Sequence, residues 1–328
     1  MTNTTVVADP DPGSAMWLGL VWAIYAAIGI PANILVLVLS MTKNVRVHPI
    51  NICIISIAFS DMMVLVSCLS SIIWALTNDI RVCKVMGVGI YVFVVMSMTL
   101  PSCLALCRHV GLVQDLQELH PLLWPLKKRK GIIALNGMLW TYGLLFTLPF
   151  ILTDRMGLDS LGFCGIVEIS SVLLWAYYLV FIIGVLFGAY IVTFIFYRKL
   201  SVWAQTASST MTATSLTNET LALTRNIMRM IRWLLFVPFV FYYPAVVVQT
   251  ALRISPNLVS VFTARIFVIT LPLPHLIDPF VTLFFVKCYH RTLVELISKG
   301  RMFFKHSVYP SHGSLNVMPQ SNVSTLMI

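Results

Sequence analysis

The sequence predicts an all-α membrane protein: a seven-transmembrane helix bundle with a short amphipathic eighth helix on the inner leaflet. Three observations carry this reading. The 328 residues are 59% hydrophobic and only 10% charged, whereas a soluble domain carries about 25% charged residues. The apolar residues fall in long blocks, at about 17–40, 50–76, 85–107, 131–152, 171–197, 227–252 and 263–286. Each block reaches the ~20 residues that a helix needs to cross a bilayer core.

Lipid offers backbone amides no partners, so these crossings are expected to be helices. The alternating segments of a membrane barrel are absent from the sequence. The sixth block is the weakest, because Arg229 and Arg232 sit in its first turns. The chain divides into an outer N-terminus (1–16), a seven-span domain (17–287) and an amphipathic helix with a disordered inner tail (288–328). No repeat or separate soluble module is visible.

Orientation follows from charge. Seven crossings place the termini on opposite sides, so the connections alternate. Sixteen of the 22 cations lie in the odd connections and the tail, including Lys43, Lys127–Lys130, Arg198, Arg225, Lys287 and Arg301. Five lie on the other side: Arg81, Lys84, Arg155, Arg253 and Arg265. The excess marks the cytoplasmic face, which puts the N-terminus outside a plasma membrane. The formal net charge of +10 therefore describes an inner membrane face, not a nucleic-acid binder. Residues 1–16 lack a positive n-region, so the first span is expected to insert as its own anchor. Asn3 opens a glycosylation sequon on that outer side.

The outer connections are short, which leaves no folded ectodomain for a large ligand. The longest inner loop, about 198–226, contains a Ser/Thr run at 208–215 and reads as a flexible, phosphorylatable linker. Residues 284–298 carry apolar residues at near-helical spacing with Lys287 and Arg291 between them, which suits a helix lying on the inner leaflet. Of the seven cysteines, Cys53, Cys68, Cys103 and Cys107 fall inside spans and read as small core residues. Cys288 stands near the inner leaflet, where palmitoylation is one option.

Polar groups at membrane depth are costly and tend to be functional. Here they stand in a definite order. The first span has Pro31-Ala32-Asn33, and the second Ser60-Asp61. The third has Ser97 and ends in Cys107-Arg108-His109. The fourth has Trp140 and Pro149, and the sixth Phe241-Tyr242-Tyr243-Pro244. The seventh has His275 and Asp278-Pro279-Phe280-Val281-Thr282.

From first span to last the chain resembles the rhodopsin-like G-protein-coupled receptors, as a divergent orphan-type or chemosensory member. Asn33 and Asp61 match the family's first- and second-span polar residues. Cys83 and Arg108 match its third-span Cys and Arg, Tyr242 its switch aromatic, and Pro244 and Pro279 its kinking prolines. The resemblance implies a disulfide between Cys83 and Cys164, both on the oxidising side. It implies coupling to a heterotrimeric G protein through Arg108, with Cys107, His109, Tyr242, Pro244, Asp278 and Pro279 in the activation machinery. It also implies a sodium ion or polar pocket among Asn33, Asp61, Ser97, His275 and Asp278. Arrestin and kinases are expected at the Ser/Thr-rich inner loop and tail.

The departures are equally specific. The acidic residue before the family's Arg is Cys107, its sixth-span Trp is Tyr242, the Tyr of Asn-Pro-x-x-Tyr is Thr282, and its fifth-span proline is missing at Phe181-Ile182-Ile183-Gly184. A thiol cannot supply the charge with which the adjacent acid restrains the Arg. Light-sensing relatives carry their retinal lysine seven residues before the seventh-span proline; here that residue is Pro272, so no retinal is expected. Where amine receptors keep a third-span Asp, this chain has Ile90.

An extracellular ligand, a small molecule or a short peptide, is expected in the outer half of the bundle among Tyr91, Tyr177, Tyr178, Tyr242, Tyr243 and Gln249, rimmed by Glu168, Arg253 and Arg265. Two other classes compete. A secondary transporter or channel could use Asp61 and Asp278 as ion-coupling carboxylates, but such proteins usually show repeats and paired broken helices. An enzyme is not expected, since no metal-binding His pair or nucleophile–base motif stands at span depth, and neither a metal site nor an organic cofactor is expected.

Overall fold

The computed structural model describes residues 12–46, 49–112, 120–159, 161–167, 169, 171–210, 215–255 and 258–308. The helices in chain order are α1 (Pro12–Ser40), α2 (Lys43–Arg46), α3 (Asn51–Cys68), α4 (Ser70–Thr77), α5 (Ile80–Leu112), α6 (Arg129–Leu152), α7 (Val172–Ile183), α8 (Ala189–Thr210), α9 (Ser215–Ile254), α10 (Val261–Ile269), α11 (Leu273–Phe285) and α12 (Lys287–Val308). A two-stranded hairpin, β1 (Met156–Leu158) and β2 (Cys164–Ile166), follows α6.

Six crossings are long, apolar helical stretches: α1, α3 with α4, α5, α6, α9, and α10 with α11. The remaining one, fifth in order, is made by α7 and α8 joined through a π turn at Gly184–Gly188. Two crossings are broken within the membrane, and each break has a local cause. The chain bends at Leu69, beside Ser70 and Ser71, since serine pairs are a common site of helix kinks. Between α10 and α11, Pro272 and Pro274 remove two backbone donors in succession.

Many apolar residues face outward, among them Leu144, Phe194, Phe236 and Phe284, as a lipid-facing surface requires. The interior is close-packed around α5, which touches α3, α6, α8 and α9. Close approach is enabled by small residues. A Cβ on Gly19 would meet Ile72 backbone atoms at 2.6–2.8 Å, so only glycine lets α1 and α4 pack here.

The outer face is covered by the hairpin. Leu158 pairs with Cys164, and Gly162, at φ 85°, supplies the left-handed residue that closes the turn. Asp159 Oδ1 accepts from the N–H groups of Leu161 and Phe163, both at 2.9 Å, which fixes the loop. Helix α5 begins against this lid, capped by Asp79 Oδ1, which accepts from Arg81 N at 2.9 Å.

The inner ends differ from the expected flexible linker. Helices α8 and α9 run to Thr210 and from Ser215, so most of the 198–226 segment continues the fifth and sixth spans as helix. The reason is visible in the chain: apolar Leu200, Ala204, Leu221 and Ile227 continue the buried stripe, so packing extends beyond the hydrophobic blocks.

Candidate functional site

The polar groups singled out in the spans meet at the centre of the bundle. Asp61 on α3 is fully buried. Its Oδ1 accepts from Ser97 Oγ on α5 at 2.8 Å and lies 2.7 Å from His275 Nδ1 on α11. The other imidazole nitrogen, His275 Nε2, is hydrogen-bonded to the hydroxyl of Tyr242 on α9. Asn33 Nδ2 on α1 donates to the carbonyls of Gly29 at 3.0 Å and His275 at 3.2 Å. Five helices are thus tied together at one depth. Among the described residues, Asp61 Oδ2, Asn33 Oδ1 and Asp278 Oδ1 are buried without a hydrogen-bond donor. Oxygens of this kind suit a hard cation. Pro279 and Pro244 lie inside α11 and α9, just inward and just outward of this network.

Above it is the outer cavity, about 60 Å³, lined by Tyr91, Phe146, Phe163, Tyr178, Tyr242 and Gln249 among others. The hairpin roofs it. A disulfide joins Cys83 on α5 to Cys164 on β2. Arg253, at the outer end of α9, donates to Tyr91 Oη at 3.1 Å and to the Ile166 carbonyl at 2.8 Å. Its neighbour on the lid, Asp159, has a carboxyl pushed up to about 6, mainly by burial and against the pull of its two backbone N–H bonds and of Arg253. Arg265 Nε donates to the Leu161 carbonyl at 3.3 Å.

Two expected ligand residues stand elsewhere. The Tyr177 hydroxyl donates to the Leu145 carbonyl at 2.8 Å, and its ring packs on Phe146 and Phe181, between α7 and α6. Tyr243 packs against Phe187, Tyr190 and Phe239, between α9 and the fifth span. Both lie one residue from a cavity tyrosine, so helical rotation carries them to another face. Glu168 and Asn3 lie outside the described residues.

At the inner mouth, Arg108 Nη2 donates to Thr224 Oγ1 on α9 at 2.5 Å. His109 packs its ring on Phe196 of α8, with centroids 5.4 Å apart. Cys107 points into the core, where its sulfur lies 3.9 Å from that of Cys103, which is in turn 3.6 Å from Cys53. Three of the four cysteines read as core residues therefore form one cluster, while Cys68 is buried elsewhere. Cys103 and Cys107 stand one helical turn apart, and that spacing was the signal available in the sequence. Less legible was Tyr289 on α12. Its hydroxyl bonds Asn51 Oδ1, and Ser40 Oγ at 2.7 Å, tying the inner-leaflet helix to α1 and α3.

The whole arrangement has relatives. The family model described as "7 transmembrane receptor (rhodopsin family)" matches residues 32–281. The chain belongs to the rhodopsin family of seven-transmembrane receptors. It is thus a G-protein-coupled receptor, a multi-pass membrane protein and not an enzyme. Among solved structures it is similar to squid rhodopsin, with a TM-score of 0.70 and 16% identity over 88% of this chain and 82% of that one. At that identity the likeness concerns the fold. No curated protein sequence matches the chain.

Proposed function

We propose that this receptor binds an extracellular small molecule or short peptide in the outer cavity and activates a heterotrimeric G protein at the inner mouth, in the plasma membrane with its N-terminus outside. One observation carries the reading: Tyr242 both lines the cavity and bonds His275, which bonds Asp61. A ligand pressing on the Tyr242 ring therefore acts on the hydrogen bonds that join α9 to α3, α5 and α11. The ligand shifts a two-state equilibrium only by its preference for one arrangement, and Pro244 gives α9 a bend about which to move.

The cavity's lining is aromatic with a few polar handles, Tyr91, Gln249 and the nearby Arg253, the usual form of a small-ligand site. Its small volume requires the lid or α7 to yield on binding. A sodium ion beside Asp61 is part of this reading, with the donor-free oxygens of Asp61, Asn33 and Asp278 as its candidate hard ligands. Arrestin and kinases would act on the hydroxyl-rich inner segments.

The test is nucleotide exchange on a purified G protein, with the receptor in lipid nanodiscs and a ligand found with a promiscuous G-protein reporter. Tyr242→Phe keeps the ring and removes the hydroxyl, so ligand binding should persist while ligand-stimulated exchange drops at least tenfold. Ligand-driven ion current or uptake without a G protein would favour the transporter reading instead. The sodium site has its own check: raising sodium should weaken agonist affinity in the parent and leave Asp61→Asn unaffected.

A further inference from the structure

The cluster at the inner end of α3 and α5 lies outside the ligand and sodium readings, and its chemistry is distinct. Cys53, Cys103 and Cys107 are all buried, at 0%, 3% and 6% exposure. Their three sulfurs lie within 4.8 Å of one another, the one such group of soft ligands among the described residues. The contacts at 3.6 and 3.9 Å are the separations that three sulfurs take around one ion. With a metal–sulfur bond of about 2.3 Å, a flat three-coordinate site places its sulfurs about 4.0 Å apart.

A second observation points to a ligand. Asn136 on α6, itself buried, aims its amide at the cluster: Nδ2 lies 3.7 Å from Cys103 Sγ and 3.9 Å from Cys53 Sγ, and is held there by the Ile132 carbonyl at 2.9 Å. An amide N–H directed at two sulfurs favours anionic sulfur over the thiol, and this is how outer groups tune metal ligands. Asn136 Oδ1 is buried without a donor, and a flip of the amide that exchanges it with Nδ2, giving up the Ile132 bond, would offer a fourth ligand. Cys103, alone of the three, also borders a crevice of about 350 Å³ between α5, α6 and the fifth span.

We propose that Cys53, Cys103 and Cys107 form a binding site for one soft metal ion, with Asn136 as its supporting amide. Thiolate donors select copper(I) or zinc(II) over hard cations. Three sulfurs alone suit copper(I); three sulfurs with Asn136 Oδ1 suit zinc(II). The ion displaces the protons of the thiols that bind it, and no electron is transferred. Binding cross-links α3 to α5 one residue from Arg108.

The experiment uses the parent receptor, purified anaerobically in lipid nanodiscs and stripped with a chelator, and requires no agonist. Copper(I) is titrated against bicinchoninate, and cobalt(II) is titrated separately as a spectroscopic stand-in for zinc(II). One equivalent of either ion, with a sulfur-to-metal charge-transfer band and at least tenfold slower alkylation of Cys103 and Cys107, is the expected result. Which ion binds decides between three and four ligands. Cys53→Ser and Cys107→Ser should each weaken binding at least tenfold, Asn136→Ala roughly tenfold, and Cys288→Ser not at all. The parent titration decides the matter even if a variant misfolds. No stoichiometric uptake by the parent, uptake retained in every cysteine variant, or a Cys53–Cys103 disulfide in the anaerobic protein would overturn the proposal.

Discussion

The two ends of the bundle are fastened in different ways. At the outer end α5, the hairpin and α9 are joined by a covalent bond between Cys83 and Cys164 and by charge-assisted bonds from Arg253. At the inner end the bonds are of the same charge-assisted kind, Arg108 to the Thr224 hydroxyl between α5 and α9 and Arg232 to the Tyr197 hydroxyl at 2.8 Å between α9 and α8, with no disulfide among the described residues. Hydrogen bonds to charged groups contribute about 1.5–3 kcal/mol each. A disulfide closing a loop of this length contributes several, and its loss often abolishes folding. The difference teaches where the bundle is most firmly fastened: the outer end carries a covalent tie, and the inner contacts between α5, α8 and α9 rest on hydrogen bonds.

The largest expected effect comes from breaking the covalent end. Cys83→Ser and Cys164→Ser should each abolish surface expression or ligand response, and the double mutant should be no worse than either single, as one shared bond requires. Additive losses, measured by surface labelling, would show that the two do not act as partners.

Strengthening or weakening the inner end sharpens the contrast. Cys107→Asp places beside Arg108 the acid that the family ordinarily carries, and should lower agonist-independent nucleotide exchange about tenfold, equivalent to ~1.4 kcal/mol. Thr224→Val removes the acceptor on α9 and should raise the same basal rate by a similar factor. Basal activity unchanged in both, at matched surface expression, would mean that the Arg108 contact does not set the resting balance.

The smallest effect concerns pH. Asp159 has its carboxyl raised to about 6 in the folded lid, mainly by burial, against a reference near 3.9 in an unfolded chain. A raised carboxyl binds its proton more tightly when folded, so its contribution to stability is greatest below about 4 and is lost as pH rises to about 6. The thermal midpoint of the parent relative to Asp159→Asn should therefore fall between those values and level off above them. A flat difference would show that Asp159 has no such shift.

Much of this was legible in the sequence, for definite reasons. Crossings declare themselves because about 20 apolar residues have few other uses. Asp61, Asn33 and His275 stood out because buried polar groups are costly. Their pairing was less legible: Asp61 was grouped with four candidate partners, and only the packing of α11 against α3 brings His275 Nδ1 to 2.7 Å. Tyr177 and Tyr243 do not line the outer cavity; in Tyr177-Tyr178 and Tyr242-Tyr243 composition cannot say which ring faces inward. The thiol cluster was missed because cysteine is so often a filler of apolar space, and Cys53 joins the other two only through the crossing of α3 with α5.

The π turn at Gly184–Gly188 sets the phase of the fifth span. A π turn accommodates one residue more than an α turn, so every side chain inward of it is rotated by about 100° from where an unbroken helix would put it. Tyr178 on α7 faces the cavity, and Thr193 on α8 meets Ser102, their hydroxyls 2.8 Å apart; the two are about 60° apart around an unbroken helix and about 40° apart once the turn is counted. The turn thus keeps both halves facing the same interior while shifting the inner half by one residue. Across the fifth span the two halves of the receptor are written in different registers, and the glycines mark the place where one changes into the other.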